Sequence, residues 1–400
     1  MTISTTRWVR PRIGLIVLAY LAFISLGLPD GLLGVAWPSI RGQFSLPLDA
    51  LGPILFASTA GYLTSSFFSG KVIARLGVGG ALAASCAITG LGLIGYTLTP
   101  TWGFIILFSV FAGLGGGAID AGLNTFIAAN YSEGFMQWLH ACFGVGVTLG
   151  PLIMTTGLQR FESWRLGYII VGSAQLLLAV CFTLTRSRWA VKQPVNTSEP
   201  PTRITDHQTP IPSSLRQPRV WLSIALFFLY TGVEVTFGHW GYTLLTESRH
   251  IAPQVAGLWA GGYWGWFTAG RVLAGLYTKK INGATLLYLS LIGALAGTCL
   301  LWWNISETLS LMGIAVIGFS IAPIFPGLVS GTSVRVGEAH AANTIGFQIS
   351  AAGLGGALIS GAAGRIARLT SLEMIPAYQF GLILAMLVLY SISMWGKKHG

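Results

Sequence analysis

Apolar residues in this chain occur in long runs, not in the alternation of a half-buried strand or the one-sided stripe of a surface helix. A helix needs about 20 mostly apolar residues to cross about 30 Å of hydrocarbon. Twelve stretches meet that requirement: 13–37, 50–70, 78–98, 102–129, 137–159, 164–185, 219–246, 252–277, 283–303, 308–332, 340–363 and 374–395. The first follows Arg7, Arg10 and Arg12, as a signal peptide would, but it is too long and lacks an A-x-A cleavage site. It is read as a span. The pattern predicts an all-α integral membrane protein with twelve transmembrane helices.

The longest polar interruption is 186–218, which holds Pro194, Pro200, Pro201, Pro210, Pro212 and Pro218 among Ser, Thr and Arg. Such a composition cannot bury a core and predicts a flexible cytoplasmic linker. It divides the chain into an N-terminal six-helix bundle (1–185) and a C-terminal one (219–400). The halves share sequence in the same order. Ser69–Leu76 lines up with Ala269–Leu276, and Gly113–Leu123 more weakly with Gly318–Leu328. A parallel repeat of six-span bundles is a layout of secondary transporters that rock about a midplane site.

Composition agrees. The 400 residues include 23 Lys and Arg and 12 Asp and Glu, only 9% charged, against roughly a quarter in soluble domains. The net charge of +11 is spread between apolar runs, which excludes a nucleic-acid partner and a disordered chain. With both termini in the cytoplasm, 17 basic residues fall inside and 6 outside (Arg41, Arg160, Arg165, Arg249, Arg365 and Arg368). That asymmetry obeys the positive-inside rule and predicts a multi-pass protein of the cell membrane, the bacterial inner membrane. Cys86, Cys142, Cys181 and Cys299 lie inside spans without C-x-x-C spacing, so neither a disulfide framework nor a metal site is expected. No phosphate loop, H-E-x-x-H or G-x-S-x-G occurs, so no enzyme and no cofactor are expected.

Chemistry is expected where charge enters hydrocarbon, at about 2.5–3.5 kcal/mol per carboxylate on insertion scales. Asp30, Asp120 and Glu234 lie within apolar runs, with no Lys or Arg at a depth to pair with all three. A carboxyl in low dielectric favours its neutral form and can load and release a proton as its exposure alternates. The structural alternatives are that Asp30 caps a helix broken at Pro29, that Asp120 and Asn124 hydrogen-bond a neighbouring helix, and that Glu234 pairs with His239 or Tyr230.

Over its full length the chain resembles the major facilitator superfamily. Residues 70–77 look like that family's G-x-x-x-D-R-x-G signature between spans two and three, with Ala74 where Asp is usual. The departure removes the family's Asp-based charge relay and leaves Lys71, Arg75 and, in the repeat, Arg271 as the cytoplasmic gate loop. Acids in spans one and four are similar to the fucose permease-like branch. The span-seven segment Tyr230–Trp240, with Gly-x-Glu before Trp, and the span-five segment Leu139–Pro151, with His-x-x-Phe-Gly, also resemble that branch. Asp120 stands where fucose permease is expected to carry Glu. The resemblance implies proton coupling through Asp30, Asp120 and Glu234, and sugar recognition.

Sugars are held by planar polar groups on their hydroxyls and aromatic faces on their C–H surface. The candidates are Asn124, His140, Glu234, His239, Trp240, Trp264, Asn343 and Gln348. Against this, a His often satisfies a backbone carbonyl, Trp anchors at interfaces, and Asn or Gln ties helices together. The expected function is proton-coupled import of a sugar or related polar solute by a monomer through alternating access. A proton-antiport exporter of drugs or amphiphilic metabolites is the alternative, and a solute sensor a third reading.

Overall fold

The computed structural model describes residues 13–131, 133–189, 211–277 and 281–395. Arg7, Arg10, Arg12, Lys192, Arg203, Lys279, Lys280, Lys397, Lys398 and most of the expected linker lie outside the described residues.

Helix α1 (Ile13–Gln43) runs unbroken through Pro29 and Pro38, so Asp30 caps no helix end. Leu51–Leu98 is helical throughout except at Gly77, with φ 69° and ψ 167°, and forms two crossings, α2 (51–76) and α3 (78–98). Glycine takes this backbone region without a Cβ clash. The connection between the second and third spans is thus one residue, and the segment expected as a gate loop is helix. There follow α4 (Trp102–Asn130), α5 (Glu133–Phe161) and α6 (Trp164–Thr185), which complete the first half. The second half comprises α7 (Pro218–Thr243), α8 (Pro253–Tyr277), α9 (Gly283–Trp303), α10 (Glu307–Ile321), α11 (Glu338–Leu369) and α12 (Met374–Trp395). The tenth crossing is interrupted near Pro323 and resumes as Ile324–Ser330. Twelve crossings form two six-helix bundles, and no strand occurs among the described residues.

Large apolar side chains such as Leu91, Leu177, Leu184, Leu289 and Val388 are exposed around the bundle, as suits a chain whose solvent is lipid. Where lipid gives no hydrophobic drive between helices, small residues allow close packing. Gly113 and Gly117 of α4 lie against the backbone carbonyls of Ser58 and Tyr62 of α2. In the corresponding pair of the second half, Gly318 of α10 lies on the carbonyl of Tyr263 in α8. The glycines of the sequence repeat therefore make matching helix contacts.

The two halves meet tightly towards the face that carries Arg41. Gly34 of α1 abuts Gly238 of α7, Gly257 of α8 abuts Thr155 of α5, and Gly52 of α2 lies against Gly361 of α11. Ion pairs cross the same face. Arg41 bonds Glu247 at 2.6 Å, and Asp49, just before α2, meets Arg365 at 3.1 Å and Arg368 at 2.9 Å, both in α11. Towards the opposite face, which carries Gly77, α2 and α11 separate: Leu63 still touches Gly353, but Gly70 and Gly346 face open space. The structure is closed across the Arg41 face and open towards the Gly77 face.

Candidate functional site

Ionisable side chains from both halves gather within their helices, away from the helix ends. On α4, the Asp120 carboxylate accepts two hydrogen bonds. The Tyr62 hydroxyl donates to its Oδ2 at 2.5 Å, and Asn124 Nδ2 donates to its Oδ1 at 2.9 Å. The i,i+4 spacing that puts Asn124 and Asp120 on one face thus produces a direct bond. Tyr62 sits within reach because Gly117, one turn before Asp120, lets α2 pack onto α4.

Asp30, near the middle of α1, is exposed although most of its neighbours on that helix are buried. Among the described residues it has no hydrogen-bond or ion-pair partner, and it lies within electrostatic reach of Glu234 and of Tyr62. Glu234 on α7 faces Arg271 on α8 at 3.8 Å, with side-chain exposures of 14% and 31%. At that separation the pair attracts without a well-formed hydrogen bond. Arg271 also stacks its guanidinium on Phe267 at 4.4 Å. His140 on α5 is exposed, packs edge-on to Phe23 at 5.6 Å, and is within electrostatic reach of both Asp120 and Arg271. Asp30, Glu234, Arg271, His140, Asp120 and Tyr62 therefore form a ring of mutually interacting groups that spans the two halves.

Two features of this ring differ from the expectation. Arg271 is no part of a loop. It lies inside α8, pointing at Glu234, while Lys71 and Arg75 are exposed on α2 and Lys71 rests over Phe68 at 5.4 Å. One intramembrane acid therefore has a basic neighbour. The α8 segment matches the α2 segment in sequence, but its Gly270 packs against the Phe319 carbonyl whereas Gly70 faces open space. The second feature is Tyr62, which sequence reasoning does not single out because one Tyr in an apolar run reads as core. Its signal lies in Gly113 and Gly117, whose spacing of four meets the same spacing of Ser58 and Tyr62.

The other candidates are held by contacts of their own, Trp264 one ring away from Arg271 through Phe267. Trp240 is fully buried, donates its indole N–H to the Ser360 carbonyl at 2.9 Å, and fills the space left by Gly364. His239 Nδ1 lies 2.8 Å from Ser360 Oγ. Trp264 is buried against Gly238, between Tyr263 and Phe267 at 5.0 and 5.6 Å. Gln348 is buried and donates to Ser223 Oγ at 2.6 Å and Thr332 Oγ at 3.1 Å. The buried Arg335 guanidinium shares both hydroxyls and also donates to the Leu328 carbonyl. Asn343 donates to Ser214 Oγ at 3.2 Å, beside the short helix Ile211–Leu215. In Trp240, Gln348 and Asn343 a polar group is already occupied by the protein, and the reason is the same each time: an unmet donor in a helix interface costs more than the bond that ties the helices. Among the described residues no cluster of His, Cys, Asp or Glu could hold a metal ion, and the four cysteines are free.

The family model for the Major Facilitator Superfamily matches residues 19–360. Among characterised proteins, the glucose/mannose transporter GlcP of Bacillus subtilis (strain 168) is 22% identical over 352 residues, 87% of this chain and 86% of that protein. The human sodium-dependent glucose transporter 1 is 23% identical over 348 residues, covering 77% of this chain and 65% of that protein. Among solved structures, a point mutant of the nucleoside transporter NupG superposes with a TM-score of 0.77 at 13% identity, covering 94% of this chain and 98% of that one. FucP in its outward conformation gives 0.61 at 12% identity, covering 95% and 98%. These likenesses fix the fold, and the family match fixes the class: a multi-pass membrane transporter of small solutes and not an enzyme. The chain belongs to the major facilitator superfamily.

Proposed function

We propose that this chain imports a sugar or related polar solute, driven by protons, through alternating access between its two halves. The observation that carries the reading is the ring of ionisable groups contributed by both halves at mid-depth, in which Asp30 is exposed and without a partner among the described residues. Relatives named as glucose and glucose/mannose transporters support a sugar as cargo. Asp30 and Asp120 exchange protons with the space between the halves. Glu234 and Arg271 present both charge and hydrogen-bonding capacity to a polyol, with His140 and Asn124 nearby. Trp240, Gln348 and Asn343, whose polar groups the fold already uses, are left out of the contact set. The Gly77 face is the cytoplasmic one, following the positive-inside reading, so the structure is an inward-open state in the cell membrane. The working unit is one chain divided near 186–218.

The energetics suffice. Moving one proton across 100 mV yields ~2.3 kcal/mol, and one pH unit adds ~1.4 kcal/mol. Together they support roughly 500-fold accumulation of a neutral solute per proton.

The test is uptake of labelled glucose by proteoliposomes of the purified chain, under an imposed proton gradient in one arm and a sodium gradient in the other. Uphill uptake follows the proton arm. Asp120→Asn abolishes it while preserving counterflow exchange at equal pH. Persistence of uphill uptake in Asp30→Asn, Asp120→Asn and Glu234→Gln alike removes these carboxyls from coupling. Uptake that follows the sodium arm alone replaces the ion.

A further inference from the structure

We infer that Tyr62 is the positioning residue of Asp120: its hydroxyl grips the carboxyl and sets the pH at which proton-driven transport runs. This rests on the proton-coupled reading above and deepens it. The contact is direct, for the Tyr62 hydroxyl on α2 donates to Asp120 Oδ2 at 2.5 Å. Asn124 Nδ2 holds the other oxygen at 2.9 Å but shares its donor with the Asp120 backbone carbonyl, also at 2.9 Å. Among the described residues, Tyr62 is therefore the donor to this carboxyl that comes from outside α4.

The fold builds the contact from the backbone outward. Gly113 of α4 lies on the Ser58 carbonyl, and Gly117, one turn on, lies on the Tyr62 carbonyl and beside Ser65 Oγ. A side chain at either glycine would hold the two helices apart and carry the phenol away from Asp120. Ser66, one turn past Tyr62, donates to the Gly117 carbonyl at 3.3 Å and adds a further tie between the same helices. Both members of the pair belong to the first half, so α2 and α4 carry them as one body. The bond is kept when the two halves separate.

A hydroxyl donated to a carboxylate oxygen favours the charged form, and Tyr62 does this without giving up its own proton. A carboxylate gripped at both oxygens also keeps one orientation, so an arriving proton meets it in that orientation. The titratable and charged groups nearest the pair on the packed helices are His140 of α5 and Asp30 of α1. Arg271 of α8 stands behind His140 and Glu234 of α7 behind Asp30. On the α3 side, Gly115 and Gly122 meet the neutral Thr89 and Leu82, and the Cys86 thiol sits in the apolar cluster of Ile119 and Leu123.

Two measurements on the lipid-reconstituted chain test the assignment. Difference infrared spectroscopy reads the carboxylic C=O band of Asp120, identified by its loss in Asp120→Asn, and needs no sugar. Tyr62→Phe keeps the ring and its packing and removes only the hydroxyl. It moves the Asp120 band to higher wavenumber, as for a carbonyl that has lost a donor. It also moves the pH profile of proton-driven glucose uptake to higher pH by about one unit, the scale of one hydrogen bond to a charged group. Ser65→Ala is the packing control: it disturbs the same helix contact, where Ser65 donates to the Tyr62 carbonyl at 3.1 Å, and spares the phenol. It leaves the band and the profile in place. An Asp120 band and a pH profile that Tyr62→Phe does not move overturn the assignment and leave coupling through Asp120 standing. A profile that Ser65→Ala moves as far as Tyr62→Phe also overturns it, since packing alone then accounts for the shift. If no band is lost in Asp120→Asn and uphill uptake persists there, coupling through Asp120 fails, and the positioning role with it.

Discussion

The Arg41 face and the middle of the bundle treat charge in opposite ways. At the face, the acids that bridge the halves have arginines within hydrogen-bond distance: Glu247 with Arg41 at 2.6 Å, and Asp49 with Arg365 and Arg368 at 3.1 and 2.9 Å. In the middle, Asp30 has no partner among the described residues, Asp120 is met by neutral donors, and Glu234 stands 3.8 Å from its arginine. Exposed ion pairs contribute only about 0–1 kcal/mol each, so the face is a weak latch that a transporter can release. A mid-membrane carboxyl without a close cationic partner costs stability, and that cost supports the coupling role proposed above for these acids. The cheap interactions close the Arg41 face, and the costly ones are where the proposed coupling resides.

Four changes break or sharpen that contrast. The largest effect is expected in the middle: Asp120→Asn reduces uphill glucose uptake about 100-fold or more, read as accumulation under a proton gradient. Next is Asp49→Asn at the latch, which removes two ties at once. It shifts the population towards opening of the Arg41 face by up to roughly tenfold, read as a longer distance between spin labels at the exposed positions Gly42 and His250. Arg41→Gln removes one tie and produces a smaller shift of a few-fold in the same measurement. A latch variant that abolished transport as fully as Asp120→Asn would erase the distinction between the two regions.

The smallest effect concerns Arg249 and Glu373, which lie at the same face but tie the second half to itself. Arg249 donates to Glu373 at 3.0 and 2.7 Å and to the Leu301 carbonyl at 2.7 Å. Burial works against the Glu373 charge, but the bonds from Arg249 and Ser248 and the Arg249 charge prevail and hold its carboxyl below the usual carboxylate range. A depressed folded value means that the stabilisation is present above the unfolded value of about 4.3 and is lost as pH falls through the folded one. Melting temperature should therefore drop on acidification below about pH 4, and Glu373→Gln should flatten that drop slightly without moving the distance between Gly42 and His250.

The spans were legible in the sequence because bilayer thickness imposes a length on apolar runs, and α6 and α9 match 164–185 and 283–303 at both ends. The break between α2 and α3 was legible in place but not in form: a helix continuing to Leu76 and resuming at Val78 looks the same in one dimension as a loop. The acids stand out because charge in hydrocarbon is conspicuous. Arg271 is misplaced by sequence alone because its segment matches the end of α2, and the match carries no information on which way a side chain points. Tyr62 and the partners of Trp240 and Gln348 need three dimensions, since a hydroxyl or indole in an apolar run is ambiguous until the neighbouring helix is in place.

Helix α2 also links a contact between the halves to one within a half. Asp49, at the threshold of α2, is clamped to α11, and Tyr62 stands 13 residues further on, roughly 20 Å at 1.5 Å per residue. A single stiff rod thus has the Arg41-face clamp near one end and the phenol near its middle. Because Gly113 and Gly117 bind α4 to α2, a swing of α2 that frees Asp49 from α11 carries Asp120 along with Tyr62. The clamp then registers separation of the halves while the bonded pair travels as one body, so the two contacts read different motions.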